Sequence, residues 1–305
     1  MAAGGALRAD AVTRLLPALP PAQVAPLLAA HARAVAGRQR RLALGAVLLL
    51  VAVTLAWRGA EVRPLVFWDR LDNFGSYFAR LTLLDTGQRV WTDPRYWFWG
   101  LRRWSIQLGQ TLLIAYVGTL TGAILGVAGG VLASRNLVRS RTLRFVAVRV
   151  LEISRTVPDI VFALVFVVAF GIGPLPGVLA IALHTTGTLG KLFAEVIEAI
   201  DMGPVDGVRG TGGGWISQVR FGALPQVLSS LVSYTLLRFE VNVRGATVIG
   251  FVGAGGIGEE LITAIRKFYY SDVSAILLML IACVMLLDAA SERLRHQLMP
   301  GQADR

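Results

Sequence analysis

The sequence lacks most of the side-chain patterns on which enzymes depend. Its single cysteine, Cys283, lies within an apolar run, which excludes an internal disulfide and a cysteine-based metal cluster. No Ser/His/Asp, Cys/His or metal-ligand spacing occurs. His184 stands alone in an apolar run, so we predict a packed histidine, with a ligand or relay role as the alternative. The sequence therefore predicts no catalytic residue, no metal and no cofactor bound by this chain.

Acidic residues are also scarce, 19 against 30 lysines and arginines, which gives a formal net charge of +11 over 305 residues. A basic balance can indicate nucleic-acid binding, but here the arginines cluster at the ends of apolar runs, where the topology-setting charges of membrane proteins lie. Apolar residues make up 55% of the chain, and the mean hydropathy is +0.62. We therefore predict a multi-pass protein of the cell membrane that contacts lipid and binds no nucleic acid.

Long apolar runs predict an all-α membrane protein with about six transmembrane helices. We place the spans at residues 42–57, 104–134, 144–170, 177–190, 226–251 and 273–287. The first half of the third span is charged, and its spacing predicts helix ion pairs of Arg155 with Glu152 and with Asp159. Together with Arg149, these charges either face partners or a water-filled route, or lie at the membrane interface. Pro158 bends or starts this helix.

The predicted organisation follows from these runs. It comprises a cytoplasmic extension (1–41), a first transmembrane helix (42–57), an aromatic-rich extracytoplasmic or interfacial segment (58–103), a helical core (104–290) and a cytoplasmic tail (291–305). A short helix is expected over 26–35, and a secretory signal is not, because the first apolar run begins only after Arg41. Arginines before the first span, after the second and in the tail place both termini in the cytoplasm, although eight arginines in 58–103 disagree with that rule.

Glycines recur at two places in the predicted core. In the second span, Gly118, Gly122 and Gly126 fall every fourth residue, which puts them on one helix face and lets another helix pack closely. Residues 253–258 fit the dinucleotide-binding fingerprint, but they follow a membrane helix and not a strand that opens a βαβ unit. We interpret the glycines there as a broken backbone that lines a pathway; they are Gly253, Gly255 and Gly256.

A polar, glycine-rich loop over residues 191–225 separates two apolar runs. Long ordered loops between membrane helices are usually functional. Within it occur Asp206-Gly207-Val208, then Gly212, then Leu224-Pro225. This order and spacing resemble the cytoplasmic coupling loop of ABC importer permeases, in which Glu-Ala-Ala, Gly and Leu-Pro stand at these places. Asp is shorter than Glu, and glycine in place of alanine weakens the local helix by about 1 kcal/mol.

The flanking runs EAIDMGPVDGVRGTG, LPQVLSSLVSYTLLRFEVNVR and GFVGAGGIG resemble more narrowly the phosphonate-type branch of that family. The resemblance covers roughly residues 100 to 290. It implies a type I permease-like bundle that forms a homodimer around a central path. It also implies two ATPase subunits, which bind ATP and Mg²⁺, and an extracytoplasmic substrate-binding protein.

In such a permease the loop carries a short helix that enters a groove on the ATPase. Pro204 would begin this helix, and Asp206 would lie in its first turn, where the helix dipole favours an acid. Gly212 would permit a tight turn. Pro225 would hold Leu224 out of the α conformation where the loop re-enters the membrane. Closure of the ATPase would then switch the path between inward and outward states.

The resemblance implies a phosphonate or a related phosphorus oxyanion as cargo, with phosphite, phosphate or methionine as alternatives. In the fifth span, Arg238, Glu240 and Arg244 are candidates for the translocation path, because arginine suits phosphate-like oxyanions. Glu240 and Arg244 also have the spacing of a helix ion pair, so a purely structural pair is the alternative. A passive pore or scaffold protein is the rival from another class.

Overall fold

The computed structural model describes residues 21–61 and 63–298. Residues 1–20 of the predicted extension and 299–305 of the predicted tail lie outside them. Within the described ranges the chain is helical and has no β-strand, apart from one β-bridge between Leu83 and Arg89. The predicted all-α class is therefore confirmed.

The helices follow one another in chain order and are numbered α1 to α13. Their bounds are α1 Pro21–Gly59, α2 Pro64–Asp69, α3 Leu71–Leu81, α4 Pro94–Trp97, α5 Leu101–Ala133, α6 Arg141–Thr156, α7 Asp159–Phe170, α8 Pro174–Glu198, α9 Gly203–Gly210, α10 Trp215–Ser217, α11 Leu224–Ile249, α12 Ile257–Arg266 and α13 Tyr270–Leu298. Short 3-10 turns occur at Val90–Thr92 and Gly250–Val252, and a π turn at Gln218–Ala223.

Four of these helices are long and apolar enough to cross a membrane by themselves, among the residues described. They are Leu28–Gly59, Leu101–Ala133, Pro174–Glu198 and Tyr270–Leu294. Two bent pairs also qualify, α6 with α7 and the helix ending at Val252 with α12, which gives six spans if each pair is one span. The prediction of about six transmembrane helices is thus confirmed. Helices α8 and α13 extend beyond the predicted spans 177–190 and 273–287.

The chain divides into two compact units, residues 1–74 and 75–305. In the first unit, α1 is one continuous helix of 39 residues, where we predicted a short helix at 26–35 and a separate span at 42–57. The arginine-rich stretch between them contains no proline, and arginine is a good helix former, so the helix is not interrupted. Helices α2, α3 and α4 fall within the predicted interfacial segment 58–103, whose place at the membrane stays a prediction.

The predicted third span, 144–170, is not one helix. Helix α6 ends at Thr156, and α7 begins at Asp159 at an angle of 89° to it. Pro158 removes a backbone N–H, and proline disfavours the α region for the residue before it. Val157 accordingly has extended dihedral angles, φ −77° and ψ 125°.

Helices α5 and α8 pack backbone against backbone along the glycine face of α5. A Cβ added at Gly118 would lie 2.7 Å from Ile181 Cγ2, and one added at Gly122 would lie 2.8 Å from the carbonyl oxygen of Ala182. Gly126 continues the same face, where an added Cβ would lie 3.2 Å from the backbone nitrogen of Gly190. This close packing fixes the ends of α5 and α8 relative to each other. The polar loop follows directly after α8, so its starting position is fixed as well.

Candidate coupling site and membrane pathway

The polar loop folds into a compact helix–turn–helix, residues 201–224, which we call the coupling unit. It begins with a local cap, because the backbone N–H of Gly203 donates to the Asp201 carboxylate at 2.9 Å. Pro204 lies in the first turn of α9, where its missing N–H is of no consequence. Asp206 lies in the same first turn, as expected, and forms an ion pair with Arg209 at 2.8 Å.

The underside of α9 is buried, and its outer face is open. Val205 is 0% exposed and packs in a core cluster with Val219 and Ala223 of the π turn. In contrast, Asp206 is exposed, and a Cβ at Gly207 would meet nothing within 4 Å. The coupling unit therefore presents the polar face of α9 outward.

Two glycines end α9 in a Schellman motif. The N–H of Gly213 donates to the carbonyl of Val208 at 3.0 Å, and the N–H of Gly212 donates to that of Arg209 at 3.0 Å. Gly212 has φ +83°, a left-handed conformation that side chains other than glycine rarely adopt. Glycine at position 212 is therefore required by the backbone of the turn.

The end of the loop differs from the prediction. We expected Pro225 to hold Leu224 out of the α conformation, and that is wrong: Leu224 has φ −58° and ψ −40°. The chain remains helical because the residues before it form a π turn, in which the Leu224 N–H donates to the Val219 carbonyl. A π turn inserts an extra residue into the helix, and such turns are frequent at functional sites. This wider turn accommodates Pro225 without a break.

Hydrogen bonds join the coupling unit and the end of α8 to the turn between α5 and α6. Trp215 Nε1 donates to the Leu137 carbonyl at 2.9 Å, and Asn136 Nδ2 donates to the Ile197 carbonyl at 2.7 Å. The N–H of Arg135 donates to the Glu198 carboxylate at 2.9 Å. Sequence reasoning missed these partners, since each bond links positions more than 60 residues apart and no local spacing marks them.

A buried polar junction lies deep between three helices. Asn242 of α11 is 3% exposed, and its Nδ2 donates to Thr119 Oγ1 at 2.8 Å and to Thr185 Oγ1 at 2.9 Å. These residues join α11 to α5 and α8. Hydrogen bonds of this kind stabilise helix association in lipid, where van der Waals packing contributes most of the rest. Asn242 stands between Arg238 and Arg244 of the predicted pathway, and the alternation of polar and apolar residues over 238–244 was the available signal.

The predicted pathway charges separate onto different faces of α11. Arg244 contacts Asp288 of α13 at 2.7 Å, an interhelical ion pair that the predicted pairing with Glu240 did not include. Arg238 lies on another face and is partly buried, and its Nε has no hydrogen-bond partner among the described residues. The carboxylate that acts on it electrostatically is Asp159.

Asp159 reaches α11 because of the break before α7. Its carboxylate lies against Gly245, where an added Cβ would be 3.2 Å from Oδ2. The predicted ion pairs of Arg155 with Glu152 and Asp159 are absent from the described part of the chain, since Glu152 pairs with Arg149 at 2.5 Å. The 89° bend takes Asp159 off the helix that carries Arg155.

His184 stabilises the break between α6 and α7. Its Nδ1 lies 3.0 Å from the carbonyl oxygen of Val157, the distance at which a ring N–H donates. That carbonyl precedes Pro158, at the end of α6. His184 is therefore a packed side chain that satisfies a backbone group.

The glycine turn before α12 is a break in the backbone, as the fingerprint-like run indicated. Gly253, Gly255 and Gly256 have φ of +86°, +80° and +83°. Gly255 and Gly256 are buried against other helices of the same chain, and the N–H of Gly256 donates to Gln110 Oε1 at 3.2 Å. The Ile257 N–H donates to Thr111 Oγ1 at 2.8 Å. The role of these glycines in lining a pathway stays a prediction.

An apolar bundle of spanning helices that holds a compact, exposed helix–turn unit at one end is the architecture of a membrane transport component. The chain belongs to the family of binding-protein-dependent transport system inner membrane components, whose model matches residues 106–302. It is accordingly a multi-pass membrane protein. Family membership and the relatives below confirm the predicted ABC importer permease of the phosphonate type.

The proteins that are similar to this chain include two curated permeases and one solved transporter structure. The phosphite transport system permease protein PtxC of Stutzerimonas stutzeri is 40% identical over 198 residues, which cover 65% of this chain and 72% of PtxC. The phosphate-import permease protein PhnE of Mycolicibacterium smegmatis is 43% identical over 188 residues, 61% of this chain and 35% of that protein. An inward-facing structure of the MetNI methionine ABC transporter matches this chain with a TM-score of 0.55 at 21% sequence identity. The match covers 64% of this chain and 95% of that chain, and it shows that the two share a fold.

Proposed function

We propose that this permease forms the path of an ATP-driven importer for a phosphorus oxyanion, such as a phosphonate, phosphite or phosphate. Two copies of the chain would assemble with two ATPase subunits and an extracytoplasmic substrate-binding protein. ATP and Mg²⁺ would be bound by the ATPase and not by this chain. The cargo class is supported by the sequence resemblance and by the phosphite and phosphate named for the relatives.

The construction of the coupling unit carries the proposal. Its exposed helix, α9, is anchored by the buried side chain of Val205. The helix ends in a turn whose left-handed backbone conformation at residue 212 favours glycine. A helix held in this way moves as one body with the helices below it, because packed cores are not continuously deformable. An ATPase that binds the outer face of α9, at Asp206 and Gly207, would therefore move the membrane helices.

Exposed apolar side chains on the coupling unit support docking of a partner. Trp215, Ile216 and Phe221 are 43%, 74% and 62% exposed. Exposed apolar patches rimmed by polar residues mark protein or membrane contact sites. Trp215 lines one pocket with Arg209, the ion-pair partner of Asp206, so one ATPase subunit would cover Trp215 together with the outer face of α9.

The distribution of arginine supports a cytoplasmic position for the coupling unit. The turn between α5 and α6, which is hydrogen-bonded to it, carries Arg135 and Arg139, and α6 begins with Arg141. Short loops rich in arginine remain in the cytoplasm. With six spans, this orientation leaves both termini, including the 1–41 extension and the 291–305 tail, in the cytoplasm.

Within the membrane, Arg238 is our candidate for contact with the anion. It is partly buried, its Nε has no hydrogen-bond partner among the described residues, and Asp159 is the charge that acts on it. Arg244 is paired with Asp288, which favours the structural alternative at that position. A charge inside a membrane bundle is costly and usually marks a route or a partner.

Uptake into liposomes tests the proposal. The permease, its cognate ATPase and its binding protein would be reconstituted, and a labelled alkylphosphonate would compete with phosphite, phosphate and methionine. We expect uptake that requires ATP and is displaced by phosphorus oxyanions but not by methionine. ATP-dependent uptake of methionine would reject the cargo and keep the importer. Uptake that is indifferent to ATP would reject the importer in favour of the passive pore.

A further inference from the structure

A cavity of about 670 Å³ lies beside the coupling unit and takes no part in the function proposed above. Helix α6 forms one wall, the C-terminal half of α8 the other, and the end of α5 at Ala133 and Arg135 the floor. Phe145, Val148 and Ala194 make part of its lining apolar. The cavity is therefore open on the same side of the bundle as the coupling unit and has a mixed apolar and cationic wall.

The charges of this cavity do not cancel. Each of its three carboxylates already has a basic partner, so none of them neutralises the remaining cations. The pairs are Arg149–Glu152 at 2.5 Å, Lys191–Glu195 at 3.8 Å and Arg135–Glu198 at 3.7 Å. Arg141 and Arg144 also line the cavity and have no ion pair or side-chain hydrogen bond within the described residues. The lining carries two cations in excess.

Arg141 and Arg144 are placed to act on the same ligand. They are three residues apart on α6, so their side chains share one helix face. The hydroxyl of Thr142, which also lines the cavity, makes no hydrogen bond within the described residues. Arg144 is only partly exposed, and an arginine held partly out of water without a counter-charge favours an anion beside it.

We propose that this cavity binds a phosphate-bearing anion, with Arg141 and Arg144 as cationic ligands and Thr142 as a hydrogen-bond donor. The anion could be the headgroup of an anionic phospholipid or a free phosphate. The lipid fits the apolar part of the lining, in which Phe145 is 60% exposed. Basic pockets between membrane helices on the cytoplasmic side bind such headgroups. The volume also exceeds the roughly 30 Å³ that one water occupies by a wide margin, as a headgroup requires.

An occupant of this cavity would lie at the base of the coupling unit. Glu198 belongs to the cavity wall, accepts the N–H of Arg135 at 2.9 Å and is the last residue of α8. Helix α9 begins at Gly203, a few residues further along the chain. The bound anion would thus compensate the cations that flank the joint between α8 and the coupling unit.

Binding to the purified full-length chain tests this site. Dioleoyl-phosphatidylglycerol and dioleoyl-phosphatidylcholine would be titrated in detergent and followed by native mass spectrometry, and inorganic phosphate would be titrated by calorimetry. We expect the double variant Arg141→Gln/Arg144→Gln to weaken phosphatidylglycerol binding by about 30-fold, since each arginine near an anionic surface contributes about 1 kcal/mol, or about fivefold. Glu195→Gln should strengthen it by about fivefold, because it releases Lys191.

The matched control is Arg102→Gln/Arg139→Gln. It removes the same charge from two exposed arginines that do not line the cavity, and it should leave the affinity unchanged. Loss that is confined to the phosphatidylglycerol titration supports a lipid site, and loss that is confined to inorganic phosphate supports a site for the free ion. Equal effects of the cavity and control variants in both titrations would overturn the proposal. Unchanged anion binding with lost ATPase association would also overturn it, by making this surface part of the ATPase contact. The binding measurement does not involve uptake. Its failure would therefore reject the anion site without rejecting the proposed importer function.

Discussion

Gly222 of the π turn lies directly against Val205 of the coupling helix: a Cβ added at Gly222 would be 2.8 Å from the Val205 Cα. That distance is shorter than a side-chain carbon can occupy without movement of one backbone. The two segments therefore meet at van der Waals contact, and the position of α9 depends on the absence of a side chain at residue 222.

The variant Gly222→Ala should displace α9 and destabilise the coupling unit by about 1–3 kcal/mol, the usual cost of overpacking. The matched control is Gly207→Ala, at an open helical position of the same unit, which should be neutral or stabilising by up to about 1 kcal/mol. Thermal unfolding followed by tryptophan fluorescence would measure both effects, because the control position lies on the proposed ATPase contact and only its stability is compared. Equal melting temperatures for the two variants would contradict the contact.

The turn at Gly212 gives a second prediction. Gly212→Asp forces a side chain into a left-handed conformation, which costs roughly 1–2 kcal/mol, and adds a charge beside α9. Assembly with the ATPase should weaken, or ATP hydrolysis should continue without uptake. Gly214→Asp is the control, because Gly214 has φ −65° and open space around it. Unimpaired ATP-driven uptake by Gly212→Asp would count against coupling through this loop and is what a passive pore predicts.

The pair of Arg244 and Asp288 should contribute stability and not selectivity. Either Arg244→Gln or Asp288→Asn leaves one charge without its partner in the membrane and should cost about 1–3 kcal/mol. The double variant should recover much of that loss, because no unpaired charge remains. A double-mutant cycle on melting temperatures measures the coupling, and additive losses would show that the two residues do not interact.

For Arg238 we expect an effect on transport. Arg238→Ala should lower phosphonate uptake by tenfold or more without a matching loss of melting temperature, since a charge–anion contact is worth about 1.5–3 kcal/mol. Arg238→Lys should keep part of the activity, because it keeps the charge but not the planar donor fork. Arg244→Ala is the comparison. If both alanine variants retain full uptake in well-assembled complexes, arginine has no role in the pathway.

Features set by neighbouring residues were predictable from the sequence. The four-residue spacing of Gly118, Gly122 and Gly126 indicated a packing face, and that face lies against α8. Gly212 and the first turn of α9 likewise follow from rules that act within a few residues.

Contacts between distant positions were not predictable in this way. Asp288 stands 44 residues from Arg244, and Thr119 stands 123 residues from Asn242, so no periodicity within one helix reports either pair. The conformation of Leu224 was missed for another reason. The rule for residues before proline says that they avoid the α conformation. Here a π turn precedes Pro225 and lets Leu224 remain helical.

The Asn242 junction has a mechanical consequence. One side chain, Asn242, joins α5, α8 and α11 through two hydrogen bonds. Under the proposed function, we expect these three helices to move together as a rigid lever when the ATPase moves the coupling unit. We expect bending to occur just after Val157, where α6 and α7 meet without a continuous hydrogen-bond ladder and where the His184 contact to the Val157 carbonyl holds the end of α6 against α8. In a transport cycle, α7 and Asp159 would be the parts that change their distance from Arg238, and the lever would keep its shape.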